Sequence, residues 1–129
     1  MKRSHVLLLV LIFFLSGCAA GGIGGSPYAD IVGTWSGPAY AEGDDMGVDV
    51  TMVLQEEEGV LRGTVSVPEQ MLQRASIRDL SWEEGVLSGW VSMQGMRVDV
   101  RLRRDGEVMN GTFYMDGMSG IMTLRRSGG

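Results

Sequence analysis

The sequence predicts an all-β fold: a single eight-stranded antiparallel up-and-down barrel. Three observations carry that expectation. Apolar and polar residues alternate, as in MRVDVRLRR, where Met96, Val98, Val100 and Leu102 stand against Arg97, Asp99, Arg101 and Arg103. A period of two with one apolar face describes a half-buried strand. Acidic-Gly pairs recur between such runs, at Glu58-Gly59, Glu84-Gly85, Asp105-Gly106 and Asp116-Gly117, and glycine takes the positive φ of a tight hairpin without steric cost. No stretch keeps a 3.6-residue period for three turns.

The strands follow in order. The first, 31–39, contains IVGTWSG, whose Gly33, Trp35 and Gly37 share a face and aim the indole into one end of the barrel. MGVDVTMVLQ supplies the second, 47–56, with Val48, Val50, Met52 and Leu54 on one side. A repeat, EEGVLRGTVSV, EEGVLSGWVSM and DGEVMNGTFYM, builds the third, fifth and seventh strands at 59–67, 86–93 and 107–115. The fourth, sixth and eighth fall at 75–82, 96–104 and 117–126. Gly63, Gly89 and Gly111 occupy matching places in the repeat. A glycine weakens a strand, so its recurrence fits close packing or bends in a tightly curved sheet. Only 40–46 and 68–74 are longer links, and PEQMLQR in the second has room for one helical turn. Short links make a meander, and eight meandering strands can close with no free edge. A two-sheet sandwich would need longer crossovers.

The N-terminal region reads as an address. Lys2 and Arg3 precede an unbroken apolar run from Val6 to Leu15. As a helix, that run would span about 15 Å, half of a bilayer core of about 30 Å. It suits the apolar region of a secretory signal rather than a membrane span. Leu15-Ser16-Gly17-Cys18 follows, with the single cysteine of the chain. LSGC resembles the lipobox of bacterial lipoproteins. The resemblance implies cleavage after Gly17, a diacylglycerol thioether on Cys18 and acylation of the new amino group; two or more acyl chains anchor stably where one does not. Ala19, in place of the Asp that commonly retains lipoproteins at the inner membrane, implies the outer membrane, facing the periplasm, in a Gram-negative cell. The expected organisation is a signal peptide at 1–17, a lipidated N-terminus and Gly-rich tether at 18–30, a barrel at 31–126 and a disordered tail at 127–129.

Composition narrows the function classes. Of 11 basic residues, Lys2 and Arg3 fall in the signal, leaving nine arginines against 16 acidic residues, a formal −7 from Cys18 onward. Such a chain is a poor ligand for nucleic acid or anionic headgroups by charge. His5 is the single histidine and lies in the signal, so His-based triads and imidazole metal sites are not expected. Ser119 in GMSGI lacks the second glycine of a nucleophile elbow. Glu42-Gly43-Asp44-Asp45 and Glu56-Glu57-Glu58 lack the alternating oxygen spacing of a calcium loop. No catalytic residue, metal or cofactor is expected.

Gly-x-Trp on the first strand of an up-and-down barrel resembles the lipocalin and avidin groups. The lipocalin likeness implies that a basic residue near the chain's end packs on the Trp, and the alternation of Met122, Leu124 and Arg126 brings Arg126 to that place. A Trp35–Arg126 contact closing the barrel floor is expected. More of the domain, GTWSG, GVLRGTVSVPEQ, DGEVMNGTFYMDG and the closing MTLRR, resembles a small bacterial barrel domain that often precedes α/β-hydrolase domains in exported enzymes. That likeness implies an accessory role.

Two functions remain open. Met52, Leu54, Val65, Val91, Met93, Val98, Val100, Phe113, Met115 and Met122, with Met109, fall on inward faces. They form either a solid core or a pocket for a small apolar ligand or lipid, since thioethers adapt to varied apolar surfaces. The other reading is a protein-binding module, an envelope-enzyme inhibitor or assembly accessory, that uses the outer face. Its candidate residues are Trp90, which points outward by parity, and the stripe of Arg97, Arg101 and Arg103.

Overall fold

The computed structural model of the chain describes residues 27–127. The expected signal peptide, Cys18, most of the tether and Gly128-Gly129 lie outside the described residues. Pro27–Asp30 form a turn, and the barrel is the compact unit that starts at Ile31.

Nine strands make one antiparallel sheet: β1 Gly33–Ala41, β2 Val48–Glu57, β3 Val60–Val67, β4 Leu72–Ser76, β5 Arg78–Glu83, β6 Val86–Met93, β7 Met96–Asp105, β8 Val108–Met115 and β9 Met118–Ser127. Their spatial order is β4-β3-β2-β1-β9-β8-β7-β6-β5. Every sequential neighbour from β1 to β4 and from β5 to β9 is paired, and β1 pairs with β9. The first and last strands therefore meet in the middle of the sheet. The seam falls between β4 and β5, halfway along the chain, and the barrel is nearly closed.

Strand count is nine, not eight. The stretch expected as a single strand at 75–82 begins earlier, at Leu72, and changes partner midway. Its first part pairs with β3 and its second with β6. The Ile77 amide at the changeover donates to the Gly63 carbonyl at 2.9 Å. Register shifts interrupt both ladders, and Arg74 and Asp79 sit at positive φ, +48° and +52°. Each irregularity inserts a residue, so Leu72, Ala75, Ile77, Leu80 and Trp82 follow spacings of three and two rather than a steady period of two. A bulge of this kind re-aims a strand, which is how one segment bridges two sheet edges. The expected helical turn in 68–74 is a single 3-10 turn at Pro68–Gln70.

The remaining turns follow from their residues. Glu58-Gly59, Glu84-Gly85, Gln94-Gly95 and Asp116-Gly117 each have both φ angles positive, as a type I′ hairpin demands. Gln94-Gly95 lacks the acidic residue and escaped the sequence pattern. At the far end, Ser127 belongs to β9 rather than to a tail. It stands opposite Thr34, whose carbonyl accepts from the Ser127 hydroxyl at 3.3 Å.

The two halves of the barrel differ in side-chain size. Around the end where the chain enters, Trp35 stands opposite Met52 and Arg126, Met109 opposite Leu124, and Leu87 opposite Leu102. These apolar residues, with Ile31 and Leu54, are almost fully buried, and each such side chain contributes about 1.5–3 kcal/mol. The void left beneath the chamber described below is about 10 Å³, at the threshold for one water. Gly63 and Gly89 flank Ile77; a Cβ on them would lie 2.9 and 2.6 Å from its side chain. They make room for the seam residue to plug the wall. Gly111 does the other work expected of a strand glycine, resting its α-carbon against the β7 backbone at Arg101 and Leu102. Outward positions such as Asp49, Gln55, Arg62, Arg97 and Arg101 are exposed and polar, the reverse of a membrane-spanning barrel, whose outer band is apolar.

Candidate functional site

At the opposite end the inward side chains become short. Ala39 stands opposite Val48 and Met122, Val91 opposite Val98, and Val100 opposite Phe113. Ala41, Val50, Val65 and Val67 complete the ring. Alanine and valine cannot reach the axis from a wall of this width, so a chamber of about 330 Å³ remains. That lies at the small end of the range for small-molecule sites. Met93, Met115, Met118 and, at the seam, Leu72 add flexible or branched apolar surface.

The chamber brings together eight of the residues singled out from sequence: Val65, Val91, Met93, Val98, Val100, Phe113, Met115 and Met122. It does not include Met52 and Leu54. Both are buried one level down, where Met52 meets Trp35 and Leu54 meets Gly33 across the β1–β2 ladder. Period-two reasoning assigns the inward face but not the height along the barrel, and these two belong to the packed floor. Met109 is likewise in the floor, fully buried. Sequence reasoning missed Ala39, Ala41, Asp44, Met46, Val48, Val50, Val67, Gln70, Leu72 and Met118, which also line the chamber. Alternation put Val48 and Val50 on the inward side of the second strand; Ala41 fell in the expected 40–46 link, and nothing marked Asp44, Met46 or Gln70, which arrive from connections.

Four connections surround the mouth: 42–47, the turn at Pro68–Gln70 with Met71, Gln94-Gly95 and Asp116-Gly117. Each carries or adjoins an exposed methionine: Met46, Met71, Met96 and Met118, with Met46 79% and Met71 88% exposed. Polar bonds tie the connections together. The Gln94 side-chain amide donates to the Gln70 carbonyl at 3.1 Å, and Glu69 accepts from the Asp49 amide at 3.3 Å. The Ser119 hydroxyl donates to the Glu42 carboxylate at 3.2 Å, while the Glu42 amide donates to the Ser119 carbonyl at 2.8 Å. Ser119 is thus a strut between a loop and β9. Among the described residues no three His, Cys, Asp or Glu side chains gather to hold a metal ion.

At the floor, Arg126 lies over Trp35 with its guanidinium carbon 4.8 Å from the ring centre. The Trp35 indole N–H donates to the Ile31 carbonyl at 2.9 Å, and Arg126 donates to the Val32 carbonyl at 3.2 Å and pairs with Glu107 at 3.3 Å. This is a closure of the floor, away from the chamber.

On the outer face, Trp90 stands between β5 and β7. The Arg78 and Arg97 guanidinia lie 5.4 and 4.5 Å from its ring centre, and its indole N–H donates to Asp79 at 2.9 Å. Arg97 also pairs with Asp99 at 3.0 Å. The indole is half-buried under these neighbours rather than bare. Arg101 and Arg103 are exposed farther down β7, opposite Ser88 and Val86.

No protein-family profile and no curated protein matches the sequence. Among solved structures, a mutant of the fluorescent protein UnaG superposes with a TM-score of 0.51 at 12% identity, covering 78% of this chain and 98% of that one. Secretory abundant heat soluble protein 4 from Ramazzottius varieornatus aligns with a TM-score of 0.49 at 12% identity, over 79% and 96%. At such identity the likeness to UnaG concerns the fold alone, a lipocalin-like barrel.

Proposed function

We propose that this protein is a lipid-anchored envelope protein whose barrel holds one small apolar molecule or lipid, without catalysing a reaction. One observation carries the reading: the inward wall changes from Trp, Leu and Met at the floor to Ala and Val at the mouth, leaving a chamber of about 330 Å³ above a packed base. A barrel that needed only a core would be filled at both ends. Support for the anchor comes from LSGC at 15–18 and the Gly-rich stretch after it. The barrel begins at Ile31, which is buried in the floor, the end opposite the mouth. Ala19 directs the anchored protein to the outer membrane, facing the periplasm, where the cell has one.

Native mass spectrometry of protein purified gently from its bacterial host tests the chamber. The expected result is a retained mass of a few hundred daltons that leaves under mild activation. A protein mass with no releasable addition, unchanged after fatty acids, alcohols, amines and lipids are offered, overturns the chamber reading and redirects attention to Trp90, Arg97, Arg101 and Arg103 as a protein-docking face. The anchor has its own test: labelled palmitate enters the wild-type protein and not Cys18→Ser.

A further inference from the structure

The polarity of the chamber selects the head group of its ligand. Resting on the pocket reading above, we infer that the chamber takes an apolar chain bearing a cationic or hydrogen-bond-donating head, and disfavours a carboxylate.

Of the residues that line the chamber, two are polar, Asp44 and Gln70, and both belong to the mouth. The wall below them is aliphatic, aromatic and thioether. A carboxylate head carried into such a site needs charge-assisted donors to replace its water, and no arginine, lysine, histidine, tyrosine, serine or threonine lines it. An ammonium or hydroxyl head instead meets an acceptor. Asp44 holds one bond of its own, from the Met46 amide to Oδ1 at 3.1 Å. A carboxylate has about four acceptor positions, so capacity remains for an entering group.

The charges around the mouth act in the same direction. Glu42 and Asp45 share the loop with Asp44, Glu69 stands on the neighbouring 3-10 turn against the Asp49 amide, and Asp116 is in the turn between β8 and β9. The arginines of this end point elsewhere: Arg97 is held by Asp99 and Trp90 on the outer face, and Arg74 is exposed on β4. An anion approaching the mouth meets like charge, while a cation is drawn in. Asp44 is exposed, so the preference is a modest one set by a screened charge plus the missing donors for a carboxylate.

Displacement of N-phenyl-1-naphthylamine, a neutral fluorophore, separates the two levels of the claim. Full-chain protein is titrated with the fluorophore, then challenged at pH 7 with decylamine, decanol and decanoate below their aggregation concentrations. Decylamine is expected to displace at roughly a tenfold lower concentration than decanoate, with decanol between them. Asp44→Asn keeps the acceptor that the Met46 amide needs. It should shrink the gap between amine and carboxylate several-fold and leave decanol unchanged, whereas Asp45→Asn, which is not in the chamber lining, should narrow the gap far less. If the fluorophore binds and decanoate competes as well as decylamine, the head-group inference is overturned while the pocket stands. If Asp45→Asn closes the gap as far as Asp44→Asn, the assignment to Asp44 is overturned. If the fluorophore does not bind at all, the pocket reading itself fails and this inference with it.

Discussion

Trp35 and Arg126 stand directly opposite each other in the ladder between the first and last strands, with the guanidinium carbon 4.8 Å from the ring centre. Three bonds converge on this pair, to Ile31, Val32 and Glu107, so one arginine ties the chain's entry, its first strand and a floor turn together. A cation–π contact contributes about 0.5–2 kcal/mol, and the arginine stem adds packing over the indole. Arg126→Ala is expected to destabilise the barrel by about 2 kcal/mol, which lowers Tm by roughly 8–16 °C for a domain of this size. Arg126→Lys should recover less than half, because an ammonium cannot stack and fork as a guanidinium does. Urea denaturation of the three proteins checks this. The same variants should bind the neutral fluorophore normally, since the floor lies away from the chamber.

Gly111 and Gly63 look equivalent in the repeat and are predicted to respond differently to a methyl group. At Gly111 the added Cβ meets the Arg101 carbonyl and the Leu102 α-carbon, both backbone. At Gly63 it meets the ends of the Leu54, Ile77 and Leu80 side chains, the nearest at 2.8 Å. Side-chain ends can shift by a rotamer change, while two strand backbones must separate along a shared ladder. Gly111→Ala should cost at least about 3 kcal/mol and Gly63→Ala about 1 kcal/mol, against a usual overpacking range of about 1–3. Equal losses in urea denaturation would contradict the packing described for the two strands.

What the sequence could disclose depended on whether a feature was local. Alternation in MRVDVRLRR and the acidic-Gly turns are properties of adjacent residues, and they yielded the antiparallel barrel and most strand limits. The meeting of Trp35 with Arg126 was expected from the lipocalin likeness of Gly-x-Trp, joined to the alternation that brings Arg126 inward on the last strand. The seam was not visible, because Arg74 and Asp79 at positive φ break the period of two that identifies a strand. Gln94-Gly95 was legible only as the two-residue gap between the strands at 86–93 and 96–104, because its glutamine does not match the acidic turn pattern. The chamber was only half legible. Each Ala or Val is an ordinary inward residue by itself, and the emptiness arises when the register sets them at one height, which also sends Met52 and Leu54 to the floor. Asp44, which carries the head-group inference, comes from a loop with no periodicity at all.

The difference in packing between the halves predicts that stability and binding can be changed separately. Leu87, almost fully buried in the floor opposite Leu102, should lose about 2–5 kcal/mol on truncation to alanine, with fluorophore affinity retained by the folded fraction. Ala41→Trp places a large ring in the mouth of the chamber, where empty space accepts it. Its expected effect is at least a tenfold loss of fluorophore affinity, with Tm within a few degrees of wild type. Fluorescence titration and thermal melts on both variants make the check; a Leu87→Ala protein that folds but cannot bind would show that the floor and chamber are not separable.

The seam sets where the barrel should open first. β4 is an edge strand, hydrogen-bonded to β3 alone through a ladder interrupted at Val65 and Val67, and β5 leans on β6 alone. β1 and β9, by contrast, each have a partner on both sides. Local opening proceeds where backbone bonds are few and exposed. Amide exchange should therefore be fastest among the strands from Leu72 to Ser76 and slowest near Trp35, Met109 and Leu124. Leu72 lines the chamber from this edge, so a bound fluorophore is expected to slow exchange in β4 more than in any floor segment. Hydrogen exchange with and without fluorophore measures both effects, and uniform protection around the barrel would mean that β4 and β5 are joined more firmly than their ladders indicate.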